Sequence, residues 1–202
     1  MAEKFFISDT HFFHNNVLRF DNRPFKTIDI MHEEMKRKWN NKVTNADTVY
    51  ICGDFTWRSM DEAMDFLSSL NGRKRLINGN HDFRNSSVKY KKLFESIKDY
   101  EEIKVGNTFV QLSHYFIPFY NKHRYGGILL HGHSHNTQEH IHELEIEWFL
   151  KCQGFDPKIY NIGCMHSYMN YEPQTLEHII QFGNAYKKTW LCTKTTEERI
   201  NR

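Results

Sequence analysis

Five short, largely apolar runs in this chain each stop at a carboxylate, an imidazole or a carboxamide. Lys4–Ser8 leads into Asp9-Thr10-His11, Thr48–Cys52 into Gly53-Asp54, and Lys74–Asn78 into Gly79-Asn80-His81-Asp82. Thr108–Leu112 leads into Ser113-His114, and Gly127–Leu130 into His131-Gly132-His133-Ser134-His135. Apolar runs of this length read as strands buried on both faces. Core packing asks for no polar group at corresponding positions after successive strands. In an α/β sheet the loops leaving the C-terminal strand ends converge on one crevice, so the pattern predicts that these groups meet in space. A sixth run, Ile159–Gly163, reads as a further strand.

Between the runs the apolar period changes to that of a helix. In Ile28–Lys42, Met31, Met35 and Trp39 fall on one face at a four-residue spacing. Ser59-Met60-Asp61-Glu62 reads as a capping box, Met60, Ala63, Met64, Leu67 and Leu70 as the apolar stripe it opens, and Asn71-Gly72 as the stop. Weaker patterns predict helices near Val88–Ile97 and Thr175–Phe182, while Gln138–Asp156 is the least patterned stretch and reads as an excursion beyond the core. The β-α-β alternation predicts a layered α/β fold. No repeat or Pro/Gly/Ser-rich linker divides the chain, which reads as one domain over residues 1–192 with a polar tail over 193–202.

Composition removes several function classes. Lys and Arg number 27 against 25 Asp and Glu, a net charge of +2, so no field favours duplex nucleic acid or a membrane surface as partner. No run of about 18 apolar residues occurs that could span a bilayer. Charge appears too early in the N-terminal segment for a signal peptide. The four cysteines, Cys52, Cys152, Cys164 and Cys192, form no CxxC pair. They suit a reducing, cytoplasmic setting better than a disulfide framework, and they exclude a zinc-finger module. The 13 histidines stand out, because imidazole is the commonest transition-metal ligand and carries protons near neutral pH.

Mixed nitrogen and oxygen donors without thiolate suit manganese, iron, zinc or similar divalent ions. Seven or eight such donors exceed what one open catalytic ion takes and suit two ions sharing a carboxylate. A pair about 3.5–4 Å apart can hold a hydroxide and clamp an in-line displacement at phosphorus, with a neighbouring imidazole protonating the leaving oxygen.

The series Asp-x-His, Gly-Asp, Gly-Asn-His-Asp, His, Gly-His-x-His, read from roughly Phe5 to Ile180, resembles the calcineurin-like metallophosphoesterase family in motif order throughout. The resemblance implies a four-layer α/β/β/α sandwich with two facing mixed β-sheets. It implies a hydrolase of phosphoester bonds, with Asp9, His11 and His135 on one metal, Asn80, His114 and His133 on the second, and Asp54 bridging. His81 is then the catalytic acid, with Asp82 at the site as its orienting partner and Gly53 shaping the loop. The implied cofactors are two divalent ions, manganese foremost, with iron, zinc or nickel as substitutes.

Three further residues are candidates for substrate contact. His14, three positions after His11, either faces the crevice and touches phosphate or simply leads into a helix. Arg19 and Arg23 either hold a phosphate bidentately or pin the loop by salt bridges. His32, His123, His140, His142, His166 and His178 are read as surface or core residues, and His131 as structural at a strand end. The basic runs Arg73-Lys74-Arg75 and Lys89-Tyr90-Lys91-Lys92 read as solvated faces.

The substrate is narrowed by one departure. Gly53-Asp54-Phe55-Thr56-Trp57-Arg58-Ser59 lacks the Asp-Arg-Gly extension of protein Ser/Thr phosphatases and symmetrical dinucleoside tetraphosphatases. A compact enzyme acting on a phosphodiester or small nucleotide phosphoester is expected, with no protein partner implied. A phosphomonoesterase of the same mechanism, or a non-catalytic metal-binding scaffold for protein interaction, are the alternatives. Phe12, Phe13, Trp57, Phe83, Tyr115 and Phe116 flank the motifs; each could stack a nucleobase, and core packing is the preferred reading for most.

Overall fold

The computed structural model describes residues 2–57, 61–82 and 88–193. Its first sheet holds strands β1 (Lys4–Ile7), β2 (Thr48–Ile51), β3 (Arg73–Ile77), β4 (Phe94–Lys98) and β9 (Gln174–Thr175), in the order β4-β3-β2-β1-β9. β1 to β4 run parallel and β9 antiparallel to β1. The second sheet has the order β5-β6-β7-β8, from β5 (Tyr100–Val105), β6 (Thr108–Ser113), β7 (Ile128–His131) and β8 (Lys158–Asn161). There β5 and β6 form an antiparallel hairpin, and β6, β7 and β8 run parallel. Both sheets are mixed, as expected.

Strand alternation builds the layers. Phe6 of β1, Tyr50 of β2 and Ile77 of β3 pack against Val110, Leu112, Ile128 and Leu130, making a core between the two sheets. Phe5, Ile7, Val49, Ile51 and Leu76 point the other way, onto α2 (Ile28–Lys42) and α3 (Asp61–Ser68). On α2 the predicted stripe Met31, Met35 and Trp39 is fully buried, each side chain contributing roughly 1.5–3 kcal/mol by leaving water. Thr27 caps this helix, accepting from the Ile30 N–H. On α3, Ala63, Met64 and Leu67 are buried as the stripe predicts, while Ser59 and Met60 of the expected capping box lie outside the described residues.

Three expectations are corrected. Only Val88–Lys91 (α4) of the predicted Val88–Ile97 helix is helical, and Phe94–Lys98 is a strand. Tyr90, Leu93, Phe94 and Ile97 have helical spacing, but pairing with β3 satisfies a whole row of backbone groups, and tertiary context outweighs local period. Gln138–Asp156 is no excursion: Gln138–Cys152 is a continuous helix, α5, capped by Thr137. Its inner face is polar, burying His140, Glu143 and Glu147 with Leu144 and Leu150, which hid it from an apolar-period search. Lys74 is buried, its Nζ donating to the carbonyls of Leu70 at 2.6 Å and Gly72 at 3.2 Å just past α3.

The C-terminal helix α6 (Leu176–Thr193) runs well beyond the predicted Phe182 and takes in Thr193, the first residue of the expected tail; residues 194–202 lie outside those described. A short helix α1 (Val17–Phe20) follows the first motif. No described helix is long and apolar enough to cross a membrane.

The sheets are joined where the motifs are. The Ser8 N–H donates to the Ile162 carbonyl at 3.0 Å, and the Cys164 N–H to the Ser8 carbonyl at 2.9 Å. β1 of one sheet is thus tied to the segment leaving β8 of the other, so both sets of C-terminal strand ends open onto one place.

Candidate metal centre

Seven side chains gather there. Asp9 and His11 follow β1, Asp54 follows β2, Asn80 follows β3, His114 follows β6, and His133 and His135 follow β7. The donor atoms of Asp9, His11 and His135 lie within 4.8 Å of one another, as do those of Asp9, Asp54 and His114. His11 Nε2 faces His135 Nε2 at 3.2 Å. On the other side His114 Nε2 lies 3.0 Å from Asn80 Oδ1, and His133 Nδ1 lies 3.0 Å from the same oxygen and 3.2 Å from His114 Nε2. Between the two groups, Asp54 Oδ2 stands 3.5 Å from His11 Nε2 and 3.7 Å from His114 Nε2.

The backbone is bent to aim these groups. Asp9 (φ 56°), His11 (48°), Asp54 (51°), His133 (75°) and His135 (48°) all take left-handed conformations, each costing on the order of 1 kcal/mol for a residue with a Cβ. Two glycines allow the close approach. A Cβ on Gly53, itself at φ 90°, would fall within the His114 ring, and one on Gly132 would fall on the Ser8 hydroxyl and the Asp9 carboxylate.

Around the donors sits a second set of contacts that orients them. His114 Nδ1 donates to the Cys52 carbonyl at 2.8 Å, which leaves Nε2 free to ligate. The His133 N–H donates to both oxygens of Asp9 at 3.1 Å. Asp21 Oδ1 lies 3.2 Å from His135 Nδ1, and Arg23 Nε donates to Asp21 Oδ2 at 2.8 Å. Burial opposes a charge on His135, but Asp9 and Asp21 override it and lift its pKa to about 9. Burial also pushes the Asp9 carboxyl upward, yet His135 and the other imidazoles hold it far below the usual range. Asp54 is raised by burial and by the charge of Asp9, and His11 is kept neutral by burial and by His135.

Such a cluster fits divalent metal. Two pairs of imidazole nitrogens face each other at 3.2 Å, and each pair can share only one proton. Two buried carboxylates stand beside them. A cation on each side resolves both conflicts, and the nitrogen and oxygen set suits manganese, iron or zinc.

His81 is at the mouth of the centre, its side chain 26% exposed, with Nε2 3.8 Å from Asp54 Oδ2 and its N–H donating to Asp54 Oδ1 at 3.0 Å. Asn80 is exposed and His133 half-buried, whereas Asp9, His11, Asp54, His114 and His135 are buried. The centre therefore opens to solvent on the side of Asn80, His81 and His133.

Several expected roles change. Asp82 does not serve to orient His81. Its Oδ2 accepts from the N–H groups of Asp54 at 2.7 Å and Gly79 at 2.9 Å, and its Oδ1 from the Phe55 N–H and the Tyr90 hydroxyl at 3.2 Å. It clamps the Asp54 loop to the Asn80 loop, and burial lifts its pKa to about 6. Arg23 cannot hold a substrate phosphate, because its guanidinium is buried and spent on protein acceptors: Asp21, the Thr10 carbonyl at 2.8 Å and the Asp9 carbonyl at 2.7 Å. His14 reaches the site but stands behind His11, Nδ1 to Nδ1 at 3.3 Å, stacked on Trp57 at 3.9 Å. Burial lowers its pKa to about 4, so it is neutral near pH 7. Arg19 is exposed on α1.

Asp21 was missed altogether, because an aspartate in a loop after a short helix carries no sequence signal. Among the flanking aromatics, Phe12 is core, Phe13 and Phe116 pack against core clusters, and Phe83 lies outside the described residues. Tyr115 is exposed beside the centre.

This two-sheet fold, with acidic, amide and imidazole donors gathered at its strand ends, is that of a metal-dependent phosphoesterase. The chain belongs to the calcineurin-like phosphoesterase family, whose sequence model matches residues 5–191; it is a hydrolase of phosphoester bonds. An uncharacterized protein of Methanocaldococcus jannaschii is 31% identical over 183 residues, spanning 90% of this chain and 91% of its own. The gene 66 protein of Mycobacterium phage L5 is 29% identical over 179 residues, spanning 72% of this chain and 85% of its own. Among solved structures, a protein of unknown function from Aquifex aeolicus superposes with a TM-score of 0.67 at 26% identity, covering 90% of this chain and 100% of that one.

Proposed function

We propose that the centre holds two divalent ions, manganese foremost, and that the enzyme cleaves a phosphodiester or small nucleotide phosphoester. Asp9, His11 and His135 are the ligands of one ion, Asn80, His114 and His133 of the other, and Asp54 is shared. The single observation that carries this reading is the position of Asp54 Oδ2, within 3.5–3.8 Å of His11, His114 and His81 at once. Two ions there would supply a hydroxide nucleophile at neutral pH and charge to offset the phosphoryl oxygens.

The chain's own residues do the rest. His81 faces the open side and delivers its proton to the departing alkoxide oxygen. Asp82 fixes the loops carrying Asp54 and Asn80, and Asp21 and His14 hold His135 and His11 in the orientation that presents Nε2 to the ion. Free Cys52, Cys152 and Cys164 suit a reducing compartment, and the reading places this single-domain enzyme in the cytoplasm.

The test is metal-free protein reconstituted with manganese, with bound metal counted and p-nitrophenyl phosphate and bis(p-nitrophenyl) phosphate assayed in parallel. About two ions per chain and a higher rate on the diester are expected. Preference for the monoester would reverse the choice of substrate, and full activity in Asp54→Ala would refute the shared ligand.

A further inference from the structure

Two aromatic rings stand in the open at the metal centre, one at each end. Phe20, 54% exposed, lies against the Asp9 group: its ring centroid is 6.1 Å from His11 and 5.8 Å from His135. Tyr115, 47% exposed, lies against the other group, 5.0 Å from His114 and 4.7 Å from His133. Both rings meet the imidazoles edge-on or tilted rather than flat.

We propose that Phe20 and Tyr115 are the two stacking platforms of the substrate site. The substrate is then a phosphodiester carrying a nucleobase on each side, a dinucleotide or a single-stranded nucleotide chain. This rests on the phosphodiester reading above and specifies what its two arms are. The two ester arms of a diester leave phosphorus in different directions, and Phe20 and Tyr115 offer one planar apolar surface on each side of the centre. A monoester would use only one of them. Bases paired in a duplex have no free face to lay on either ring, in keeping with the near-neutral net charge of +2.

Both rings are held in register with the donors by the chain itself. Phe20 closes the short helix α1 and precedes Asp21, which is fixed by His135 and Arg23. Tyr115 directly follows His114, and its N–H donates to Ser113 Oγ at 3.1 Å. A platform fixed before the substrate arrives loses little ordering entropy on binding. Stacking on an aromatic ring tolerates any base, because every base has a π face.

The measurement compares a dinucleoside phosphate with methyl p-nitrophenyl phosphate, a diester whose second arm is only a methyl group, on the metal-loaded enzyme. Phe20→Ala and Tyr115→Ala should each lower the ratio of kcat/KM for the dinucleoside phosphate to that for the small diester by roughly 5- to 100-fold, mainly through KM. Phe20→Trp and Tyr115→Phe should retain the ratio. Metal content is read on every sample. Loss of metal, or a proportional fall on both substrates, would show that the rings only shield the ligands and would overturn the proposal. Hydrolysis of the small diester with no advantage for the dinucleoside phosphate would overturn it while leaving the hydrolase intact. No turnover on either compound would remove the phosphodiester reading and this one together.

Discussion

The carboxylate of Asp21 stands 3.2 Å behind the Nδ1 of His135, on the far side of the ring from the metal centre. Its charge faces that imidazole, and its other oxygen anchors the buried Arg23. Asp21→Asn keeps the size and an acceptor for Arg23 but removes the charge. Affinity at the His11 and His135 side should fall about 10- to 100-fold, while the His114 and His133 side binds as before. Metal titration followed by calorimetry resolves the two steps, and equal weakening of both would show that Asp21 acts on the fold at large.

His81 touches the centre only at its open edge, so His81→Gln should retain both ions. Turnover should drop about 10²- to 10⁴-fold on a diester with a poor leaving group, and far less on bis(p-nitrophenyl) phosphate, whose leaving group needs little protonation. The same loss on both esters would mean that the imidazole binds phosphate and does not donate a proton.

Gly132 has no room for a side chain. In Gly132→Ala the added methyl meets the Ser8 hydroxyl and the Asp9 carboxylate, so either the loop moves or Asp9 does. The variant should lose the ion held by Asp9, His11 and His135, seen as metal content near one per chain or below, together with most of the activity. Wild-type stoichiometry in this variant would mean that the loop yields without disturbing Asp9.

His32 gives the fold an acid sensitivity. It is buried on α2, and its Nε2 accepts from the Phe13 N–H at 2.9 Å. Burial lowers its pKa to about 4, against about 6.5 in an unfolded chain. Between those values the unfolded state binds more protons, so stability is lost as pH falls from about 6.5 toward 4, by up to about 3 kcal/mol. Denaturant unfolding of metal-free wild type and His32→Gln should show wild type ahead at pH 7.5 and its lead shrinking at pH 4.5. A lead that does not change with pH would assign the sensitivity to other groups.

The donors were legible because a carboxylate, amide or imidazole following an apolar run has no structural reason to be there, and Asp9, His11, Asp54, Asn80, His114, His133 and His135 all follow such runs. What surrounds them was not legible. Arg23 reads as a surface cation until its acceptors are known, and its oxygen acceptors are Asp21 and carbonyls 13 and 14 positions away. Asp82 reads as a partner of its neighbour His81, although its donors include groups 27 and 28 positions distant. The same limit applies to the fold. β4 carries a helical spacing that pairing with β3 overrules, and α5 conceals its inner face because Glu143 and Glu147 are buried by bonding to Ser134 and Lys187.

The left-handed conformations at Asp9, His11, Asp54, His133 and His135 bear on when the centre comes into being. His11 and His135 face each other across 124 positions of chain, and the His11 N–H is held by the Asp54 carbonyl from a different strand end. The full donor set is gathered only after the two sheets have docked, so the complete centre is a product of the finished fold and not of its early stages. Loading of the proposed ions is then expected late, on a finished scaffold, where the nitrogen and oxygen donor set leaves the choice among manganese, iron and zinc to what the surrounding solution offers.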